Sequence, residues 1–239
     1  MIYSPLAVFG GSLSKKCQKS LSSMGFDILA LPSYTRLEER VSSHADLLIF
    51  PIDKNIFVHG EYTDNIPSLT DTLSVRGYEI FPIDETVGDS YPKDVLLNCL
   101  TVGSYIFAKT DSVSKSILEY AKSHGYTAVN VNQGYARCTA CPLSKNAIIT
   151  ADGSIARAAE SVGTDVLKIS DGGVTLDGFP YGFIGGACGV FEDRIFFAGD
   201  LLSHPDGEKI ADFCKKHNKE PISLSDEPLQ DVGSIFFFR

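Results

Sequence analysis

Cys138 and His44 are the two residues with which this chain could do covalent chemistry. A thiol is a weak nucleophile until it is ionised, and a neighbouring imidazole or electropositive pocket supplies that activation. Cys138 lies in the run Arg137-Cys138-Thr139-Ala140-Cys141-Pro142, and His44 opens His44-Ala45-Asp46. Attack on a planar carbon also needs a proton shuttle near neutral pH, which suits a histidine. On a strand, side chains two apart share a face, so His44 and Asp46 are expected to point the same way, as are Cys138, Ala140 and Pro142. Asp46 would orient either the imidazole or a bound molecule. The plainer alternatives stay open: a cysteine on an apolar strand is often a small core residue, and His-x-Asp at a strand start is often a turn.

Cys188, within Gly185-Gly186-Ala187-Cys188-Gly189, is a second candidate nucleophile, because glycine permits close approach of a substrate. Its alternative is a buried structural cysteine. Cys138-x-x-Cys141 has the spacing of a redox or zinc half-site. No second Cys or His pair at ligand spacing accompanies it, so no metal is expected. Gly10-Gly11-Ser12 precedes a helix and could cradle a phosphate, but it lacks the rest of a phosphate-loop signature, and helix capping is the preferred reading.

The elements that must position these residues repeat. Five times an amphipathic stretch ends in Gly or Asn and runs at once into a short apolar strand, at Gly25, Gly77, Gly125, Gly163 and Asn218. A left-handed residue closes many helices, and Gly or Asn adopts that conformation with little penalty. The preceding segments carry helix-period apolar residues, such as Val113, Ile117 and Ala121, or Ile210, Phe213 and Cys214. Two further apolar runs separate successive helices, which gives a strand–strand–helix–strand unit of about 48 residues. The last copy has one run at the C-terminus and its partner at the N-terminus, so both chain ends complete it and no edge stays open. The expectation is a single domain over residues 1–239, with blades at about 39–85, 90–133, 134–171, 178–226, and 227–239 plus 1–34. An open, doubly wound α/β sheet is the alternative.

This pattern resembles the pentein fold, the five-bladed β/α propeller of the guanidino-group modifying enzymes. That superfamily includes arginine deiminase, dimethylarginine dimethylaminohydrolase, agmatine deiminase and the amidinotransferases, and also a translation initiation factor without a catalytic site. His44-Ala45-Asp46 is similar to the His-x-Asp that opens the histidine blade of arginine deiminases. The segment from Arg137 to Ser144 is similar to the one that carries the deiminase nucleophile. Two repeats separate the motifs, an offset the family keeps. The cysteine blade is third here and usually near the C-terminus, so the resemblance implies a circularly shifted order. It further implies that Cys138 attacks the carbon of a guanidine or amidine, that His44 moves protons, and that no cofactor takes part. Asp46 would orient, while Asp94, Asn98, Arg137, Asp231, Gly186 and Cys188 would contact the substrate. Asp84, Asp171 and Asp226, at the ends of third strands, could rim the mouth.

Two departures from the family pattern bear on the substrate. The stretch that should hold an Arg-Asp pair gripping the guanidinium reads Gly185-Gly186, and the expected glutamate is replaced by Leu229-Gln230-Asp231. Gln230 falls nearer the expected place, and Asp231 could substitute. Arginine is therefore not the expected substrate; a less charged amidine or a modified guanidine fits, with the glycines making room for its bulk. The competing expectation is a non-catalytic pentein that binds a small molecule or a protein.

Composition sets the outer limits. With 239 residues, 44% hydrophobic and 21% charged, the chain can bury a sizeable core without disulfides or metals. A net charge of -9 argues against a nucleic-acid groove, which needs a basic stripe. No apolar run approaches the roughly 20 residues of a membrane span, and the N-terminal run reads as a buried strand rather than a leader. Six cysteines without dense spacing fit a reduced, cytoplasmic protein. The expected partner is a small molecule bearing an amidine or guanidine, with homodimerisation left open.

Overall fold

All five helix-closing residues are left-handed, with φ of +89° at Gly25, +77° at Gly77, +78° at Gly125, +82° at Gly163 and +56° at Asn218. Each closes a helix and turns the chain straight into a strand, which is why the repeat is visible in the sequence. The computed structural model describes residues 3–239.

The first unit runs β1 (Leu6–Gly10), α1 (Lys15–Ser23) and β2 (Asp27–Leu31). The second has a one-turn helix α2 (Ala45–Leu48), β3 (Ile49–Ile52), β4 (Asn55–His59), α3 (Pro67–Ser74) and β5 (Glu79–Ile83). The third comprises β6 (Leu100–Val102), β7 (Tyr105–Ala108), α4 (Lys115–Ser123) and β8 (Thr127–Asn130). The fourth repeats the second, with one-turn α5 (Ala136–Thr139), β9 (Ala140–Ser144), β10 (Ala147–Thr150), α6 (Gly153–Ser161) and β11 (Asp165–Lys168). The fifth holds β12 (Cys188–Phe191), β13 (Arg194–Phe197), α7 (Gly207–Lys216) and β14 (Glu220–Ser223). The chain ends on β15 (Ile235–Phe238).

Each of the five sheets has three strands, an antiparallel pair whose central strand is joined by a helical crossover to a parallel third strand. The sheet holding the termini is ordered β15-β1-β2, with β1 antiparallel to β15 and parallel to β2. The expected unit, completed by both chain ends, is therefore present. Central strands such as β1 and β10 are buried throughout, whereas third strands such as β8 and β14 are half exposed. First strands lie nearest one another: β9 runs beside β6 and β12, and β12 beside β15.

Helices seal the outer faces of these sheets with the residues their period selects. Ile117 and Ala121 of α4 and Ile210 and Cys214 of α7 are fully buried; each large aliphatic group among them contributes about 1.5–3 kcal/mol. Side-chain caps come from Ser14 on α1 and Asp152 on α6. The Gly10-Gly11-Ser12 run forms no phosphate cradle. Gly10 instead lies where a β-carbon would press on the backbone oxygens of Ser43 and Val232. Among the described residues no helix is long and apolar enough to cross a membrane.

One local expectation fails in a consistent way. His44-Asp46 and Arg137-Cys138 do not lie on strands but at or within one-turn helices that precede β3 and β9. Asp94 and Asn98 likewise sit in a turn ahead of β6. At the crowded centre the chain satisfies its backbone groups locally, as in Leu47 N–H to His44 O (3.0 Å), Asn98 N–H to Val95 O (3.0 Å) and Thr139 N–H to Tyr135 O (2.9 Å). A four-residue apolar run fits a strand or a buried turn equally well, so periodicity does not separate them.

Candidate active site

Asn98 organises the nucleophile candidate. Its Oδ1 accepts the backbone N–H groups of Arg137 (2.7 Å) and Cys138 (3.3 Å), pinning the first turn of α5. Its Nδ2 donates to the Cys138 sulfur (3.2 Å) and to the Asp46 carbonyl (3.1 Å), which ties the second, third and fourth units together at one point. An N–H aimed at sulfur favours the thiolate. Burial, with the Asp46 and Asp231 charges behind it, nevertheless holds the Cys138 thiol well above its ordinary value. The resting group is a thiol.

His44 is the last residue before α2 and is 2% exposed. Burial lowers its pKa, opposed by the Asp46 and Glu38 charges, so the ring is neutral near pH 7. Its Nδ1 lies 3.8 Å from Asp231 Oδ1, and its Nε2 is buried without a partner. Asp46, in α2, accepts the Ser234 hydroxyl on Oδ2 (2.6 Å) and lies against the Cys138 thiol. Burial pushes its carboxyl up, with His44 pulling the other way. Gly233 fixes this corner: its carbonyl accepts the Asp46 N–H (2.9 Å), and its φ of +73° brings it where a β-carbon would overlap His44.

Two more carboxylates complete the ring. Asp231 takes the N–H groups of Phe183 (2.9 Å) and Gly233 (3.0 Å), yet burial pushes it up to about 6. Asp94 accepts the Tyr135 hydroxyl (2.5 Å) on one oxygen and leaves the other unpartnered; burial raises it too.

His44, Cys138, Asp94 and Asp231 line one cavity of about 400 Å³. Its walls are aromatic, with Tyr91 and Tyr135 on one side and Phe179, Tyr181 and Phe183 on the other. Glu38, Asp89 and Arg40 stand at its edge. Arg40 is already engaged: Nε contacts Glu38 (2.5 Å), Nη1 donates to the Gly178 carbonyl (2.8 Å), and the guanidinium lies 4.4 Å from the Phe179 ring centroid. The site thus offers buried acceptors without partners, neutral imidazole and a thiol, behind an aromatic sleeve of negative potential. Planar cations match such a surface in charge and shape.

Several expected contacts lie elsewhere. Arg137 does not face this cavity; its guanidinium donates to the carbonyls of Gly185, Ala140 and Cys188. Cys188 is fully buried, its thiol directed at the Gly185 carbonyl (3.6 Å) and at Cys141. Gly186 makes no room for a substrate, because a β-carbon there would overlap the Asp231 carboxylate. Gln230 is outside the cavity and Asp231 within it. Asp84, Asp171 and Asp226 are exposed and do not line it. The six cysteines are free and buried, and no three His, Cys, Asp or Glu side chains cluster at metal-binding distance among the described residues.

Sequence reading missed Tyr135, Tyr91 and the aromatic wall from Leu176 to Phe183. The available signal was the run Gly178-Phe179-Pro180-Tyr181-Gly182-Phe183, aromatic residues in a loop that no core requires.

A family model described as a family of unknown function (DUF6873) matches residues 8–236. No curated protein sequence matches the chain. Among solved structures, DDAH from Pseudomonas aeruginosa in complex with citrulline superposes with a TM-score of 0.58 at 9% identity, covering 94% of this chain and 93% of that one. Agmatine deiminase of C. jejuni gives 0.54 at 8% identity, covering 93% and 87%. An amidinotransferase from Microseira wollei, of the saxitoxin biosynthetic pathway, gives 0.53 at 12% identity, covering 91% and 79%. Likeness at such identities speaks for the fold, and the fold is the pentein fold.

Proposed function

The chain belongs to the DUF6873 family, whose function is unknown, and we propose that it is a thiol-dependent enzyme acting on a C–N bond of a guanidino or amidino small molecule. One observation carries this reading: Cys138 and His44 line the same aromatic cavity as Asp94 and Asp231, with the sulfur held by Asn98. The solved structures of similar fold, a DDAH, an amidinotransferase and an agmatine deiminase, support the general class.

The chemistry follows from the charges. In the empty site burial and two carboxylates keep Cys138 protonated. A bound amidinium or guanidinium offsets those carboxylates and makes ionisation of the thiol easier. The thiol proton passes to His44 as sulfur bonds to the central carbon, giving a tetrahedral adduct. His44 returns that proton to the departing nitrogen, the C–N bond breaks, and an S-linked amidinium remains on Cys138. Water or an acceptor amine then adds to the same carbon, giving its proton to His44, and the Cys138 sulfur leaves and takes that proton back as a thiol. Asp231 and Asp94 hold the cation through this sequence by charge-assisted hydrogen bonds.

A pair of equal-sized alkylating agents tests this. 2-Chloroacetamidine carries an amidinium; chloroacetamide is neutral. Mass spectrometry should find the amidine on Cys138, at a rate at least a hundredfold above that of the amide and suppressed in Asp231→Asn. Equal rates, or modification elsewhere, would remove the enzyme reading. A non-catalytic, ligand-binding pentein is then the reading left, and the strongly raised Cys138 pKa is the observation that favours it.

A further inference from the structure

Arg137 is a buried charge that the proposed chemistry leaves unused. It is 6% exposed, and its hydrogen bonds all go to carbonyl oxygens: Nη1 to Gly185 (2.8 Å) and Ala140 (3.4 Å), Nη2 to Cys188 (3.4 Å). Buried charges are ordinarily neutralised by an opposite charge, yet no carboxylate pairs with this one among the described residues. Nε–H has no hydrogen-bond acceptor there, while the guanidinium also contacts the Cys188 thiol and lies 5.5 Å from the Phe236 ring centroid. The edge that carries Nε–H is one that a carboxylate oxygen can engage.

That group lines a second cavity of about 260 Å³, which shares no residue with the Cys138 cavity. Arg137 is the one charged residue in its wall; the rest is mainly apolar, including Phe50, Pro142, Val190 and Phe236. Thr101 adds a hydroxyl oxygen that is buried without a hydrogen-bond partner. A lone cation with an unused Nε–H, an orphan hydroxyl and apolar walls define a small amphiphilic anion.

We propose that this cavity binds a short-chain monocarboxylate, with its carboxylate on the Arg137 Nε–H and the Thr101 hydroxyl and its alkyl tail against Phe50, Val190 and Phe236. At about 30 Å³ for each water-sized group, the volume holds roughly eight heavy atoms, so an acid of about six carbons fills it. Phosphate would match the charge but leave the apolar walls uncovered. The internal competitor is Cys188. Burial pushes its thiol up, but a hydrogen bond from Cys141 and the Arg137 charge more than offset that, so a dry thiolate could neutralise Arg137 instead.

Calorimetric titration of the full chain with sodium acetate, butyrate, hexanoate and inorganic phosphate, at constant ionic strength, decides the matter. Hexanoate should bind saturably and tightest, with affinity rising about fourfold per methylene from acetate. Binding should weaken at least tenfold in Arg137→Gln. It should weaken as much in Val190→Trp, which keeps the cation and fills the cavity, so a folding failure of the first variant does not blur the outcome. No saturable binding, phosphate binding as tightly as hexanoate, or hexanoate binding unchanged in folded Val190→Trp would overturn the proposal. Binding seen only in Cys188→Ala would overturn it as well and name the thiolate as the counter-ion.

Discussion

Gly186 stands against Asp231 so closely that a β-carbon on the glycine would overlap the carboxylate. Gly186 leaves the space that the Asp231 carboxylate, from the segment before β15, occupies.

That relationship is testable by a double-mutant cycle. Gly186→Ala should destabilise the protein by about 1–3 kcal/mol through overpacking. In Asp231→Ala the same substitution should be nearly neutral, because the overlapping carboxylate is gone. Urea unfolding of the four proteins measures the coupling. Additive effects would mean that the glycine serves another neighbour.

Asn98 should separate structural from chemical roles. Asn98→Ala loses one acceptor of two N–H groups and one donor to sulfur, and about 1–3 kcal/mol of stability with them. Asn98→Asp keeps the acceptor but sets a third carboxylate beside Cys138. Iodoacetamide labelling of Cys138 at fixed pH should therefore be slower in Asn98→Asp than in Asn98→Ala. The reverse order would argue that the amide does not act on the sulfur.

Cation binding should depend on pH through Asp231. Burial raises this carboxyl to about 6, so below that pH the empty site holds a proton that an amidinium must displace. Acetamidine affinity should be near its plateau above pH 7 and fall about tenfold per unit below pH 6. Asp231→Asn should flatten that limb. The sign is fixed: a cation favours the ionised acid, so affinity rises with pH. A profile flat from pH 5 to 8 in the unmodified protein would exclude Asp231 as a binding group.

His44 should matter for bond making more than for binding. Its ring is neutral near pH 7 because burial lowers its pKa, which leaves Nε2 able to take a proton. His44→Ala should slow 2-chloroacetamidine labelling of Cys138 by 10²–10⁴-fold, the usual range for a general base, with acetamidine affinity changed less than threefold. Equal losses in both would assign His44 to packing against Gly233.

The fold was legible because it rests on local chemistry. A left-handed Gly or Asn after each amphipathic helix is a property of a few adjacent residues, and five of them reveal the repeat. His44 and Cys138 could be paired because they stand two repeats apart, the offset that the resemblance to the pentein enzymes implies. The short turns that carry them were read as strands, since four buried residues give no usable period. The aromatic wall was missed because a loop residue declares no partner.

What this sequence determined by itself is the element order, the split last unit and the types of reactive group, all governed by interactions within one repeat. Only the tertiary structure decided that Asn98 holds the Cys138 sulfur, that the Asp231 carboxylate packs on Gly186 and lines the same cavity, and that Arg137 turns away from its neighbour Cys138 into another cavity. Each of those depends on side chains from different units meeting at the centre. Such meetings are selected by packing and charge among residues far apart in the chain, and no local pattern encodes them.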